Sequence, residues 1–274
     1  MNARTPIPPE APAAIAGGAS LLRVDALSVR RGAATLVDAV SLELERGELF
    51  GLIGPNGAGK SSLLRAIAQL IPHGGACRLD GDALGALPAE VRARRLAYLA
   101  QGDHVVWPLR VRDFVALGRQ PHGRKDANGA AAVEAALARM HLRELAGRRL
   151  DALSGGERAR ARLARALAVE ASLLLADEPV AALDPYHQLS VMELLRQQCA
   201  RGHSIVVVLH DLTLASRFCH RVLLMHQGRA VACGAPRQVL TPANLQRVYQ
   251  VQAMHGEHEA QPYVLPWRCE PTNG

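Results

Sequence analysis

The stretch GPNGAGKSS at 54–62 places Gly54, Gly59, Lys60 and Ser61 at the spacing G-x-x-x-x-G-K-[ST]. Glycines let a backbone curl until successive N–H groups converge on phosphate oxygens, and a helix opening at the lysine adds its positive end. The phosphate cradle predicted here runs through Gly54, Pro55, Asn56, Gly57, Ala58, Gly59, Lys60, Ser61 and Ser62. The lysine is itself informative, because of 32 basic residues only Lys60 and Lys125 are lysine. A compact ammonium reaches between phosphates where a planar guanidinium is too bulky.

A second group of residues completes a hydrolytic set. In LLLADEP, Asp177 ends an apolar run, where a carboxylate can hold Mg²⁺ beside Ser61; Glu178 follows and is aimed to accept a hydrogen bond from an attacking water. His210 ends the next apolar run, SIVVVLH. Alone it reads as a near-core histidine or a cap, but on a neighbouring strand it emerges at the same sheet edge as Glu178. Gln101, after LAYLA, is a neutral side chain able to touch Mg²⁺ or the attacking water.

The stretch LSGGE at 153–157 opens an arginine-studded helix with a glycine pair and no lysine. The N–H groups of Gly155 and Gly156, the Ser154 hydroxyl and the helix N-terminus suit a γ-phosphate. Because the cradle at 54–61 is already complete, this half-site is expected to meet the nucleotide held by another copy, two chains closing head to tail around ATP. A helix cap by Ser154, with Glu157 at the capping-box position, explains the same residues and can operate together with that role.

The elements that must position these groups follow from periodicity. LLRVDALSVRR and ATLVDAVSLELERG alternate with period two, as half-buried antiparallel strands do. GLIG ends a short apolar strand, and KSSLLRAIAQLI carries Leu63, Leu64, Ile67 and Ile71 at helical spacing. From about 88 to 155 the pattern turns helical, with little sign of buried strand, which predicts a helical lobe inserted in the core. ASLLLAD and SIVVVLH read as parallel strands covered on both faces, and RVLLMHQGRAVACG as a hairpin turning at Gln227 and Gly228. The predicted fold class is α/β: a P-loop NTPase core, mostly parallel sheet with flanking helices, plus an N-terminal antiparallel β-subdomain. Residues 1–20 are expected to form a flexible tail, 21–250 the nucleotide-binding domain, and 251–274 a loosely packed C-terminal extension.

Composition narrows the class. The chain has 274 residues and is 49% hydrophobic, and it has no run near the roughly 18 apolar residues that span a bilayer. Prolines and Glu10 interrupt the N-terminal stretch, against a secretory signal. Five scattered cysteines suit a reducing cytosol. A net charge of +7 fits nucleic acid, an anionic membrane surface or a solvated arginine-rich face. The arginines are spread along the chain and stacking aromatics are few, which favours the solvated face; charge alone decides nothing, and it is the sequence as a whole from which no nucleic-acid partner is expected. His255 and His258 in HGEHE read as solvated tail residues in preference to a metal pair.

Taken together, GPNGAGKSS, Gln101, LSGGE, LLLADEP, AALD at 181–184 and His210 resemble the Walker A, Q-loop, signature, Walker B, D-loop and H-loop of an ABC-type ATPase. The likeness covers about residues 21–250. It implies that Lys60 and Ser61 bind phosphates and Mg²⁺, that Glu178 is the catalytic base and that His210 contacts the γ-phosphate. It also implies that Asp184 lies at a dimer interface and that Gln101 links nucleotide state to the helical lobe. Family members usually stack an aromatic on adenine where this chain has SVRRG, which leaves Arg31 for that role.

VALGRQPH, LDPYHQ and YVLPWR resemble the importers of iron-siderophore, heme and vitamin B12. A single cassette without spans then implies separate membrane subunits, and the shared site a homodimer on the cytoplasmic face of a bacterial inner membrane. Two membrane-spanning permease subunits are expected to dock near residues 102–122, with a periplasmic substrate-binding protein as an indirect partner. The alternative is a non-transport ABC-type ATPase acting on nucleic acid, with stimulation that falls steeply with salt. A binding module without turnover is opposed by Glu178 and His210.

Overall fold

The computed structural model describes residues 20–102, 108–123, 125–181 and 183–270. The tail expected over 1–20 therefore lies outside the described residues except for Ser20, as do 103–107 of the expected docking stretch and Ala182 of the AALD motif.

The chain opens with two long strands, β1 (Ser20–Arg31) and β2 (Ala34–Glu45), paired antiparallel. Their alternation buries Leu22, Val24, Leu27 and Val29 on one side. Next come β3 (Leu49–Ile53), buried along its length, and α1 (Lys60–Ile67). β4 (Gly74–Leu79) and β5 (Asp82–Ala83) complete a four-stranded sheet of order β2-β1-β4-β5. α2 (Ala89–Arg95) leads to β6 (Leu96–Leu99). The helical part holds α3 (Val111–Ala116), a 3-10 segment Leu117–His122, α4 (Gly129–Arg139) and α5 (Gly155–Leu167). Then follow β7 (Leu173–Ala176), α6 (Pro185–Ala200), β8 (Ser204–Val208) and α7 (Leu212–Phe218). The chain continues through β9 (Arg221–His226), β10 (Arg229–Gly234), α8 (Pro236–Val239) and α9 (Pro242–Tyr249). A hairpin of β11 (Val251–His258) and β12 (Gln261–Cys269) ends the described residues.

The central sheet has the order β10-β9-β3-β8-β7-β6 and is parallel except for β10. Its strands serve two cores. Leu174 and Ala176 of β7 and Ile205 and Val207 of β8 face the helical side. Leu173, Leu175, Val206 and Val208 face α1 and the antiparallel sheet. A strand apolar on both faces has no alternation to display, which is why these segments read as unbroken apolar runs.

One expectation is corrected. The stretch 88–155 is not free of buried strand: β6 lies within it and joins the core sheet beside β7, with Leu96 opposite Leu173 and Leu99 opposite Ala176. Four residues are too few for a period to emerge from the arginine-rich helix before them. The extension after Tyr249 forms a paired hairpin, most of whose residues are exposed. Pro262 and Pro266 hide the strand signal of β12. The hairpin is held against α7 by the buried Val264, whose carbonyl accepts the Thr213 hydroxyl at 2.7 Å.

Candidate functional site

The loop between β3 and α1 wraps tightly because glycine is required at its ends. Gly54 has φ +147°, and a Cβ there would lie 2.2 Å from the Met225 carbonyl oxygen; Gly59 has φ +97°, and a Cβ would lie 2.3 Å from that of Leu36. Any side chain would force the loop off both strands. Lys60 opens α1, and its Nζ donates to the carbonyls of Gly54 at 2.7 Å and Pro55 at 2.9 Å, so the ammonium bridges the loop it follows. Burial pushes the Lys60 ammonium below the usual lysine value, while the charges of Glu178 and Asp177 pull it back up.

Beside the loop, the Ser61 hydroxyl donates to Asp177 Oδ1 at 2.8 Å. Asp177 is fully buried, and its Oδ2 accepts the Tyr98 hydroxyl at 3.2 Å. A hydroxyl and a carboxylate form the oxygen pair that suits a small hard cation, which leaves its other positions to water and phosphate. Tyr98 was not anticipated from sequence, although a polar-tipped aromatic inside the apolar run LAYLA was the available signal. Replacing Tyr98 with Phe is expected to leave the carboxylate short of a donor. A loss of about 1–3 kcal/mol should follow, read as a lower midpoint in urea with an unchanged slope.

Three neighbouring strands deliver the remaining groups to one edge. Gln101 follows β6, Glu178 follows β7 and His210 follows β8. Gln101 Nε2 donates to Glu178 Oε2 at 2.6 Å, and His210 Nε2 lies 2.5 Å from Glu178 Oε1. Glu178 itself has φ +50°, a left-handed backbone that a side-chain-bearing residue seldom adopts and that concentrates at functional sites. The Arg162 guanidinium of α5 donates to the Ala100 carbonyl, tying the arginine-rich helix to the turn that bears Gln101.

A cleft of about 520 Å³ gathers the loop residues from Asn56 to Ser62 with Gln101, Glu178 and His210. Leu36 also lines it, a residue no sequence motif marked. Arg31 is exposed and is not among the lining residues. Ser154, Gly155, Gly156 and Asp184 also stand outside this cleft. The Ser154 hydroxyl accepts from the Glu157 N–H at 3.2 Å, and Glu157 Oε2 accepts from the Ser154 N–H at 2.8 Å, so the capping box is present. Asp184 caps α6 by accepting from the His187 N–H at 2.9 Å. His255 and His258 are exposed on the terminal hairpin. Among the described residues no helix is long and apolar enough to cross a membrane.

The model of the ABC transporter family matches residues 37–181. The hemin import ATP-binding protein HmuV of Pseudomonas entomophila (strain L48) is 42% identical over 251 residues, covering 89% of this chain and 98% of its own. The protein of that name from Streptomyces coelicolor is 43% identical over 247 residues, covering 89% and 86%. Among solved structures, a metal-chelate type ABC transporter in an inward-facing conformation aligns with a TM-score of 0.79 at 23% identity, covering 91% of this chain and 98% of its own. At that identity the likeness speaks for the fold alone. The ATP binding subunit of an ABC transporter aligns with a TM-score of 0.70 at 28% identity, covering 80% and 92%.

Proposed function

The chain belongs to the ABC transporter family and is an ATP-binding, ATP-hydrolysing subunit of it; from that premise we propose that it powers import of an iron chelate, with heme as the cargo. The observation that carries the enzymatic part is the placement of Glu178 between His210 and Gln101 at the mouth of the phosphate loop. The cargo rests on relatives named for hemin import, whose likeness extends across 89% of this chain.

In this reading the loop N–H groups and Lys60 hold the β- and γ-phosphates, with the ammonium exchanging its contacts to Gly54 and Pro55 for phosphate oxygens. Ser61 and Asp177 would hold Mg²⁺, which when bound neutralises charge on the phosphates. Glu178 accepts a proton from the attacking water, and its neighbour His210 is placed to reach the γ-phosphate. Gln101 lies two residues beyond the end of β6, so its contact with Glu178 is suited to report the hydrolytic state to the helical side.

The set Ser154, Gly155, Gly156 and Asp184 would complete the site of a second copy. Two chains then enclose two nucleotides, and closure and reopening move two permease subunits docked on the helical side. A substrate-binding protein outside the membrane would deliver the chelate. Arg31 stands away from the cleft in a single chain, so adenine stacking by its guanidinium requires β1 to approach the base.

Deleting this chain in its host is expected to abolish growth on hemin as sole iron source. The wild-type chain should restore growth and Glu178→Gln should not. Undiminished growth on hemin, with loss on a ferric siderophore or cobalamin, would move the cargo elsewhere; ATPase activity stimulated by DNA and not by the permease would remove the transport role.

A further inference from the structure

The second glycine of the turn at 153–157 is shaped by a contact within its own chain. A Cβ on Gly156 would lie 1.7 Å from His187 Cδ2 and 2.4 Å from its Cγ and Nε2, so the imidazole rests directly on the Gly156 backbone. Gly156 is not among the glycines with positive φ. Its lack of a side chain is therefore demanded by the ring and not by the backbone angle.

The same ring is fixed at its other edge. His187 Nδ1 lies 2.8 Å from Asp184 Oδ1 and 2.9 Å from Oδ2, and the His187 N–H donates to Asp184 Oδ1. The Tyr186 ring meets the imidazole edge-on at 5.3 Å between centroids. Hydrogen bonds from the His187 backbone and then its side chain hold the Asp184 carboxyl below the usual range, so the carboxylate stays charged and keeps the ring in place. Gly156, His187 and Asp184 thus form one chain of contacts from the start of α5 to the start of α6.

We propose that His187 is a positioning residue that locks the Ser154–Gly156 turn and Asp184 into a single rigid surface for the nucleotide of a second copy. This rests on the split-site reading above. Two independently mobile turns would each have to be ordered when the chains close, whereas a bridged pair is ordered once, in folding. None of the three residues lines this chain's own cleft, which leaves the bridge available to a facing chain.

The test is a mutant cycle on the full chain with its permease. His187→Ala is expected to lower kcat about tenfold, as misplacement of catalytic surroundings does. Affinity for a fluorescent ATP analogue, read at concentrations too low for pairing, should be unchanged. His187→Asn, which keeps a donor toward Asp184, should recover most of the rate, an outcome a bulk folding defect would not give. In a Gly156→Ala background, where the ring is already displaced, adding His187→Ala should cost no further turnover.

Wild-type kcat in His187→Ala, or penalties that multiply in the double variant, would overturn the bridge. If His187→Ala does not fold, the decision passes to His187→Asn and His187→Gln: loss of kcat graded by reach toward Asp184 supports the bridge, and full activity in both overturns it. Failure of the Glu178→Gln chain to pair in ATP would instead remove the split site, and the bridge's role with it.

Discussion

A chain carrying Glu178→Gln is expected to bind ATP as tightly as the wild type and to turn it over about 10²–10⁴-fold more slowly. The amide has the shape of the carboxylate and can fill the same space between Gln101 and His210, but it cannot take a proton from water. The phosphate loop keeps its shape, because Lys60 bridges to the Gly54 and Pro55 carbonyls and loses only the attraction of the Glu178 charge. With binding intact and cleavage blocked, sizing in the presence of ATP should show dimers that persist. Monomers alone under saturating ATP would contradict the shared site, and wild-type turnover would contradict the role of Glu178.

Lys60→Ala should produce the opposite separation, with binding lost and the fold kept. Removing one partner of a buried charge contact costs about 2–5 kcal/mol, which corresponds to a fall in ATP affinity of about 30-fold to several thousand-fold. Stability without nucleotide should not fall in parallel, because the buried ammonium is held at a desolvation cost, as the lowering of its pKa indicates. Calorimetric titration together with thermal unfolding would show both. An affinity within a few-fold of wild type would remove Lys60 from the site. Lys60→Arg is expected to behave like alanine, since the space between the Gly54 and Pro55 carbonyls is fitted to a slender group.

Residues at strand ends were legible in advance because short apolar runs announce buried strands and the next polar residue marks their edge. By that logic the sequence alone sets Asp177, Glu178 and His210 at strand ends on one sheet edge. It could not supply strand order, and so the seating of Gln101 on the rim through β6 was hidden within a stretch that reads as helical. Tyr98 and Leu36 were missed for a related reason: each belongs to a strand pattern that explains it without reference to a site. Ser154 shows the converse case, where the structure displays the cap and the proposed anion role requires a second chain. The terminal hairpin was illegible because prolines in β12 mask the period that its pairing with β11 would otherwise produce.

The order of the central sheet also distributes mechanical strength unevenly across the cleft. β3, which carries the phosphate loop, is flanked by β8 and β9, whereas the four residues of β6 have β7 as their one strand neighbour among the described residues. Amide protons of β3 should exchange with deuterium only when the whole molecule opens, and those of β6 through cheaper excursions. The proposed grip on the triphosphate is thereby anchored on a strand with neighbours on both sides. Gln101, the proposed relay toward the helices, follows a strand at the edge of the sheet.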